Sequence, residues 1–153
     1  PGEFDLAGFV VGLVDREEIG RNGEPTPGDV LLGLPSSGLH TNGYSLARRV
    51  LPPETWGMED AALGRTIGEA LLEPHRLYLH EVGALTAVGA RGFAHITGGG
   101  FVDNVARVLP DGVAAEIDAD LWEPPPIFRL LADRGSIPRD ELYRVFNMGV
   151  GLV

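Results

Sequence analysis

Chemistry-bearing residue types gather in two short stretches of this chain. The first is Gly33-Leu34-Pro35-Ser36-Ser37-Gly38-Leu39-His40-Thr41-Asn42-Gly43-Tyr44-Ser45-Leu46, and the second is Ala94-His95-Ile96-Thr97-Gly98-Gly99-Gly100-Phe101. Each combines glycines, hydroxyl side chains and a histidine, and each reads as a strand end that runs through a loop into a helix. Unpaired backbone N–H groups at a helix start, with the positive end of the helix dipole, suit an anion. Glycine lets a phosphate oxygen come within about 2.9 Å of backbone nitrogen. A glycine-rich turn before a helix can also be only a tight connection. Two such loops, each with a histidine and a hydroxyl, favour ligand binding. No lysine occurs anywhere, which excludes a Walker P-loop, and G-x-G-x-x-G is absent from both junctions.

The remaining polar candidates are weaker. His75 and His80 sit on or before a helix and read as structural or solvated. A metal site from His40 and His95 with a carboxylate has no support in the spacing. Glu17-Glu18 and Asp118-x-Asp120 read as solvated faces.

The elements that must position the loops follow from periodicity. Leu6 to Val14 is apolar on both faces, which predicts a central strand. Asp29 to Leu34 predicts a second buried strand leading into the first loop. A helix is expected from about Asn42 to Leu51, stopped by Pro52-Pro53. Asp60 to Leu72, with apolar residues at i, i+4, i+7 and i+8, predicts an amphipathic helix closed by Pro74. Leu77 to about Val88 predicts a well-buried helix. Phe93 to Thr97 is a short strand entering the second loop, followed by a helix from Phe101 to Val108. Residues 113–118 alternate as a half-exposed strand does. Two helices, about 124–134 and 138–146, precede an apolar run, 149–153, that reads as a strand cut short. The expectation is one α+β domain with helices packed on a mixed sheet.

Composition bounds the rest. The 153 residues are 44% hydrophobic and 22% charged, enough for one core without a staple. Cysteine is absent, which excludes disulfides, thiolate metal sites and cysteine nucleophiles. All 12 basic residues are arginine against 22 acidic ones, a net charge of −10 that argues against duplex binding. No apolar run reaches the length of about 20 residues that a membrane helix needs, and no secretory signal is visible. The chain begins at Pro1 and reads as a piece of a longer protein.

Four segments, in order, resemble a known family: Asp5-Leu6-Ala7-Gly8-Phe9, Ser37-Gly38-Leu39-His40-Thr41-Asn42-Gly43-Tyr44-Ser45-Leu46, His95-Ile96-Thr97-Gly98-Gly99-Gly100, and Tyr143-Arg144-Val145-Phe146-Asn147-Met148-Gly149-Val150-Gly151. Together they resemble phosphoribosylformylglycinamidine cyclo-ligase, also called aminoimidazole ribonucleotide synthetase. The resemblance covers nearly the whole chain but only the C-terminal half of the family's protein. It implies that residues 1–153 are one C-terminal substrate-phosphate domain, lacking its last strands and the N-terminal half that binds ATP and Mg2+.

The implied reaction is ATP-dependent cyclisation of formylglycinamidine ribonucleotide to aminoimidazole ribonucleotide in purine synthesis. It further implies a phosphorylated ribonucleotide as partner, a homodimer built mainly by the absent half, a cytoplasmic location, and no nucleic acid or membrane partner. Carried over residue by residue, the substrate-phosphate candidates are Ser37, Gly38, Asn42, Ser45, Thr97, Gly98, Gly99, Gly100 and Arg76. His40 and His95 are the catalytic candidates, either protonating a leaving group or bonding a phosphate, with binding ranked higher. The chain has Leu72-Glu73-Pro74-His75-Arg76-Leu77-Tyr78 where the family usually reads Leu-x-Pro-Thr-Arg-Ile-Tyr, so a contact by the hydroxyl at position 75 is lost. Arg76 pairs either with a phosphate or within a structural salt bridge. Other ATP-using members of the superfamily (formylglycinamidine ribonucleotide synthetase, selenophosphate synthetase, thiamine-phosphate kinase) are alternatives, as is a non-catalytic phosphate-binding or assembly module. With no lysine and no complete nucleotide site, the 153-residue chain alone is expected not to turn over. Measurable ring closure by it in a substrate-cyclisation assay would refute this.

Overall fold

The computed structural model describes residues 7–153. Its organising feature is the last strand. β4 (Val150–Leu152) is buried along its length and pairs antiparallel with β1 (Leu34–Pro35), Leu34 opposite Leu152 and Pro35 opposite Val150. On its other edge β4 pairs with residues 94–96. Ala94 N–H donates to Val153 O at 2.7 Å, Val153 N–H to Ala94 O at 2.9 Å, and Ile96 N–H to Gly151 O at 2.9 Å. His95 stands opposite Leu152 in the same antiparallel sense. Two segments that are each antiparallel to β4 run parallel to one another. Their C-terminal ends, where the two glycine loops begin, therefore lie at the same end of the sheet.

Helices pack around this ladder. α1 (Tyr44–Val50) follows the first loop and α4 (Gly100–Ala106) the second. α5 (Pro126–Gly135) starts on prolines, whose missing N–H costs nothing at a helix start. α6 (Arg139–Val145) follows Pro138. The largest fully buried side chains among the described residues are Leu39, Leu51, Ile67, Ile96, Phe128, Leu131, Phe146 and Asn147, and the Phe128 and Phe146 rings lie 5.9 Å apart. Gly100, in the left-handed region at φ 62°, faces the Tyr143 carbonyl so closely that a Cβ would collide with it. That is why α4 can start against α6.

The α+β expectation holds, with all described strand pairings antiparallel. Several local expectations do not. Of the expected opening strand, Leu6 lies outside the described residues, and residues 7–14 form no strand. Phe9, Val10 and Leu13 are almost fully exposed, because nothing among the described residues covers either face. Only the last residue of the expected strand 29–34 enters the ladder; Val30 and Leu32 are exposed.

The expected helix 60–72 is instead a hairpin of β2 (Glu59–Asp60) and β3 (Arg65–Thr66), followed by α2 (Ile67–Leu71). Gly64 turns the chain at φ 65°, and a capping box between Thr66 and Glu69 starts the helix there. α3 (Leu79–Ala87) forms where expected but is not buried, since no neighbouring element covers Leu79. Residues 113–118 alternate half-buried and exposed as expected, yet no strand pairs with them among the described residues.

Asn147 ties the first loop to the turn before β4. Its Nδ2 donates to Gly38 O at 2.9 Å, and its Oδ1 accepts from Ser36 Oγ at 3.0 Å and Gly149 N–H at 2.9 Å. Asn147→Ala removes three hydrogen bonds and leaves the Gly149 N–H without its partner at a position that is 1% exposed, while Ser36 Oγ and Gly38 O still pair with each other at 3.0 Å. We expect a loss of about 2–3 kcal/mol in chemical denaturation; a change within error would show that the loop is held by other means.

Candidate functional site

The two loops meet through one side chain. Asn42 Oδ1 accepts from Gly98 N–H at 3.2 Å, joining the first loop to the second. His40 sits in the left-handed region at φ 58°, uncommon for a residue with a Cβ, and is 3% exposed. Its Nε2 accepts from Ser37 N–H at 3.1 Å. Gly151 of β4 forms the floor beneath it: a Cβ there would meet His40 Cε1 at 2.6 Å and collide with the Tyr78 hydroxyl. Tyr78 in turn donates to Pro35 O at 2.9 Å.

The second loop is clamped by Asn104, a buried residue of α4. Its Nδ2 donates to Gly100 O at 2.7 Å, with longer bonds to Thr97 O and Gly98 O, while its Oδ1 accepts from Thr97 Oγ1 at 3.0 Å. Gly99, at φ 95°, permits the turn. Both following helices are only seven residues long, so their dipoles add less than the sequence reading assigns them; the side-chain donors matter more.

Among the described residues, two buried side-chain atoms have no hydrogen-bond partner: His40 Nδ1 and Asn42 Nδ2. Both are donors. Since Ser37 N–H donates to His40 Nε2, the proton of the neutral ring resides on Nδ1. Asn42 offers its oxygen to Gly98, which leaves the amide N–H2 unpaired. A donor buried without an acceptor is costly, and two in one loop call for an acceptor ligand.

The structure brings together His40, Asn42, Ser37, Gly38, His95, Thr97, Gly98, Gly99 and Gly100 around the two loops. Ser37 Oγ is already committed to Pro74 O at 2.6 Å. Arg76 pairs with Glu81 at 2.7 Å and donates to Pro35 O at 3.2 Å, the structural salt bridge of the two readings offered for it. Ser45 is exposed on α1 and lines a different concavity with Arg49, Ser136 and Glu141. A cavity of about 940 Å3 lies between Phe101, Ile117, Trp122 and Tyr143, with Asp103, Asp140 and Arg144 also in its wall, and has no histidine in its lining.

His75, read from sequence as structural or solvated, stacks on His40 with ring centroids 3.9 Å apart and lies 5.1 Å from the His95 ring. Sequence reading assigned no role to Asn104, Asn147 or His75. An asparagine inside an otherwise apolar stretch such as Phe146-Asn147-Met148 was the available signal for Asn147.

Among the described residues the one group placed to share a metal ion is His40, His75 and His95. Mg2+ takes oxygen ligands, so these residues do not fit the Mg2+ that the family resemblance implies, and no step through that ion is derived from them.

Burial, and then the neighbouring His75, His95 and Arg76, push His40 down from 6.5 to about 4. Burial and His75 lower His95 as well. His40 is thus neutral at pH 7. Between pH 6.5 and about 4 the unfolded chain binds a proton at this position that the folded chain refuses, so the folded state loses stability as pH falls through that window. An NMR titration is expected to find the His40 ring still neutral at pH 5; an ordinary midpoint near 6.5 would contradict the burial argument.

These features define a class: an α+β domain whose central antiparallel strand aligns two glycine loops over a buried, neutral histidine. Comparison with known proteins gives the particular family. Residues 26–153 match the family model described as "AIR synthase related protein, C-terminal domain", and the chain belongs to that family. It is 52% identical over 157 residues to a phosphoribosylformylglycinamidine cyclo-ligase of Anaeromyxobacter sp. (strain Fw109-5), covering all of this chain and 45% of that protein. It is 53% identical over 156 residues to the enzyme of that name from Anaeromyxobacter dehalogenans, and 46% identical over 156 residues to that of Alkaliphilus oremlandii. In both, 99% of this chain aligns, with 45% and 46% of the respective relatives. The chain thus spans about half the length of the curated relatives it matches. Among the described residues, no helix is long and apolar enough to cross a membrane.

Proposed function

We propose that this chain is the C-terminal, substrate-phosphate half of an ATP-dependent cyclo-ligase that closes the imidazole ring of aminoimidazole ribonucleotide. The observation that carries this reading is the pair of unpartnered donors, His40 Nδ1 and Asn42 Nδ2, buried where the two glycine loops meet. Both donate to oxygens of the phosphorylated ribonucleotide. Thr97 and the Gly98-Gly99-Gly100 turn, held by Asn104, complete the loop that faces the ligand.

ATP supplies a phosphoryl group to the formyl oxygen of the substrate. The amidine nitrogen then attacks the formyl carbon, the C–N bond forms, the C–O bond breaks, and phosphate leaves. ATP and Mg2+ are assigned to the part of the polypeptide outside this chain, as is most of a homodimer contact, and the reaction is placed in the cytoplasm. His40 binds rather than transfers a proton. Its basicity is held so low that at pH 7 the ring is a neutral hydrogen-bond donor. The shared name of the relatives, with 46–53% identity over nearly the whole of this chain, supports the cyclo-ligase over the other ATP-using members.

The test uses the intact polypeptide that carries these residues. His40→Ala and Asn42→Ala are each expected to raise KM for formylglycinamidine ribonucleotide about tenfold or more, the cost of a hydrogen bond to a charged oxygen, with a smaller change in kcat. KM values equal to the wild type would reject the donor assignment. Turnover of selenide or thiamine phosphate, without ring closure, would move the protein to another branch of the superfamily.

A further inference from the structure

An anion held by His40 and Asn42 leaves His75 unexplained. Its ring lies flat against His40, tilted by 18°, and a nitrogen from each of His40, His75 and His95 lies within 4.8 Å of the other two. The guanidinium nearest to them, Arg76, is drawn away by Glu81 and the Pro35 carbonyl. We infer that His40, His75 and His95 form a three-imidazole site for a first-row transition-metal dication of the Zn2+ or Ni2+ class. This goes beyond the cyclo-ligase reading and does not depend on it; His40 Nδ1 holds either the substrate oxygen or the metal, so the two occupants exclude each other at that atom.

The donor set argues for that class of ion. Imidazole is a ligand of intermediate softness suited to Zn, Cu and Ni, whereas Mg2+ and Ca2+ select oxygen. Three protein ligands leave a fourth position open, the pattern of sites that admit a further oxygen or nitrogen ligand. Bonds of about 2.0–2.1 Å require the three nitrogens to draw closer together than their present limit of 4.8 Å. His40 is fixed by Ser37 on one side and by the Gly151 floor on the other, so it offers Nδ1, the atom without a partner.

His95 is exposed and moves to meet it. His75 must turn out of the stack, because lone pairs of parallel rings do not converge. On binding, the proton of His40 moves from Nδ1 to Nε2, which then faces the Ser37 N–H donor, so the Ser37 amide must turn away from the ring. One hydrogen bond is lost and three metal–nitrogen bonds form.

The experiment is a titration of the intact, tag-free polypeptide, first stripped with chelator, with Co2+ followed by visible absorption and with Zn2+ followed by calorimetry. One ion per chain is expected, with a tetrahedral cobalt spectrum and no response to Mg2+. His75→Ala and His95→Ala should each weaken Zn2+ binding by about tenfold or more. His80→Ala, exposed on α3, should change nothing. His75 is not a core residue, so its variant is expected to keep the wild-type circular dichroism and melting temperature, and lost binding then reports the site.

Absence of stoichiometric binding, unchanged affinity in His75→Ala, or loss of binding in His80→Ala would each overturn the inference. None of these outcomes touches the substrate KM of Asn42→Ala, so failure of the metal site and failure of the anion site are distinguishable.

Discussion

The arrangement depends on one constraint: β4 is paired on both edges, and in the antiparallel sense on both. A three-residue strand contributes few hydrogen bonds, yet its two neighbours are the segments that feed the glycine loops. Had either pairing been parallel, the loops would leave opposite ends of the ladder, and Asn42 could not reach Gly98. The same strand supplies Gly151, where the lack of a side chain makes room for the His40 ring and the Tyr78 hydroxyl. Register is therefore part of the chemistry. A slip of one residue would place Val150 or Leu152 under His40 and reverse the faces.

Rigid polar clamps then turn alignment into geometry. Asn104 and Asn147 are both buried, and each saturates its amide with backbone and side-chain groups, Asn104 within the second loop and its helix and Asn147 between the first loop and the turn before β4. Their own bonds stabilise each loop in a conformation that includes left-handed residues, His40 at φ 58° and Gly99 at φ 95°. Such backbone is held by its surroundings and not by local preference. The contrast with His40 Nδ1 and Asn42 Nδ2 is informative. Where the fold needs a polar side chain, it satisfies every atom; these two atoms it leaves unmatched.

The loops were legible in the sequence because their signal is local. Glycines, hydroxyls and histidines at a strand end specify a turn and its donors without reference to distant residues, and the helices at 44–50 and 100–106 begin where those turns end. What was not legible depends on partners. Phe9 and Val11 have the pattern of a central strand, but a strand is defined by its neighbours, and none stands beside them among the described residues. Leu63, Ile67, Ala70 and Leu71 fit a helical period, yet Gly64 and the Thr66–Glu69 capping box begin the helix later. His75 looked unremarkable because its importance lies in a contact across 35 residues of sequence with His40, set by the hydrogen bond from Ser37 to Pro74 O.

A net charge of −10 is compatible with an anion site once the donors are counted individually. Local potential is set by the nearest groups, and around the loops these are backbone N–H dipoles, an amide and the neutral His40 ring, with the described carboxylates Glu73 and Glu81 neutralised by Arg65 and Arg76. Neutral donors also have a selective advantage over lysines: they hold an oxygen through direction as well as charge, so a ligand of the wrong shape gains little. Keeping His40 uncharged is what permits this. A cationic imidazole at the same place would attract any anion, and it would forfeit the lone pair that accepts the Ser37 N–H. Burial, the feature that makes an unmatched donor costly, is therefore also what keeps the ring neutral and its proton pointed at the ligand.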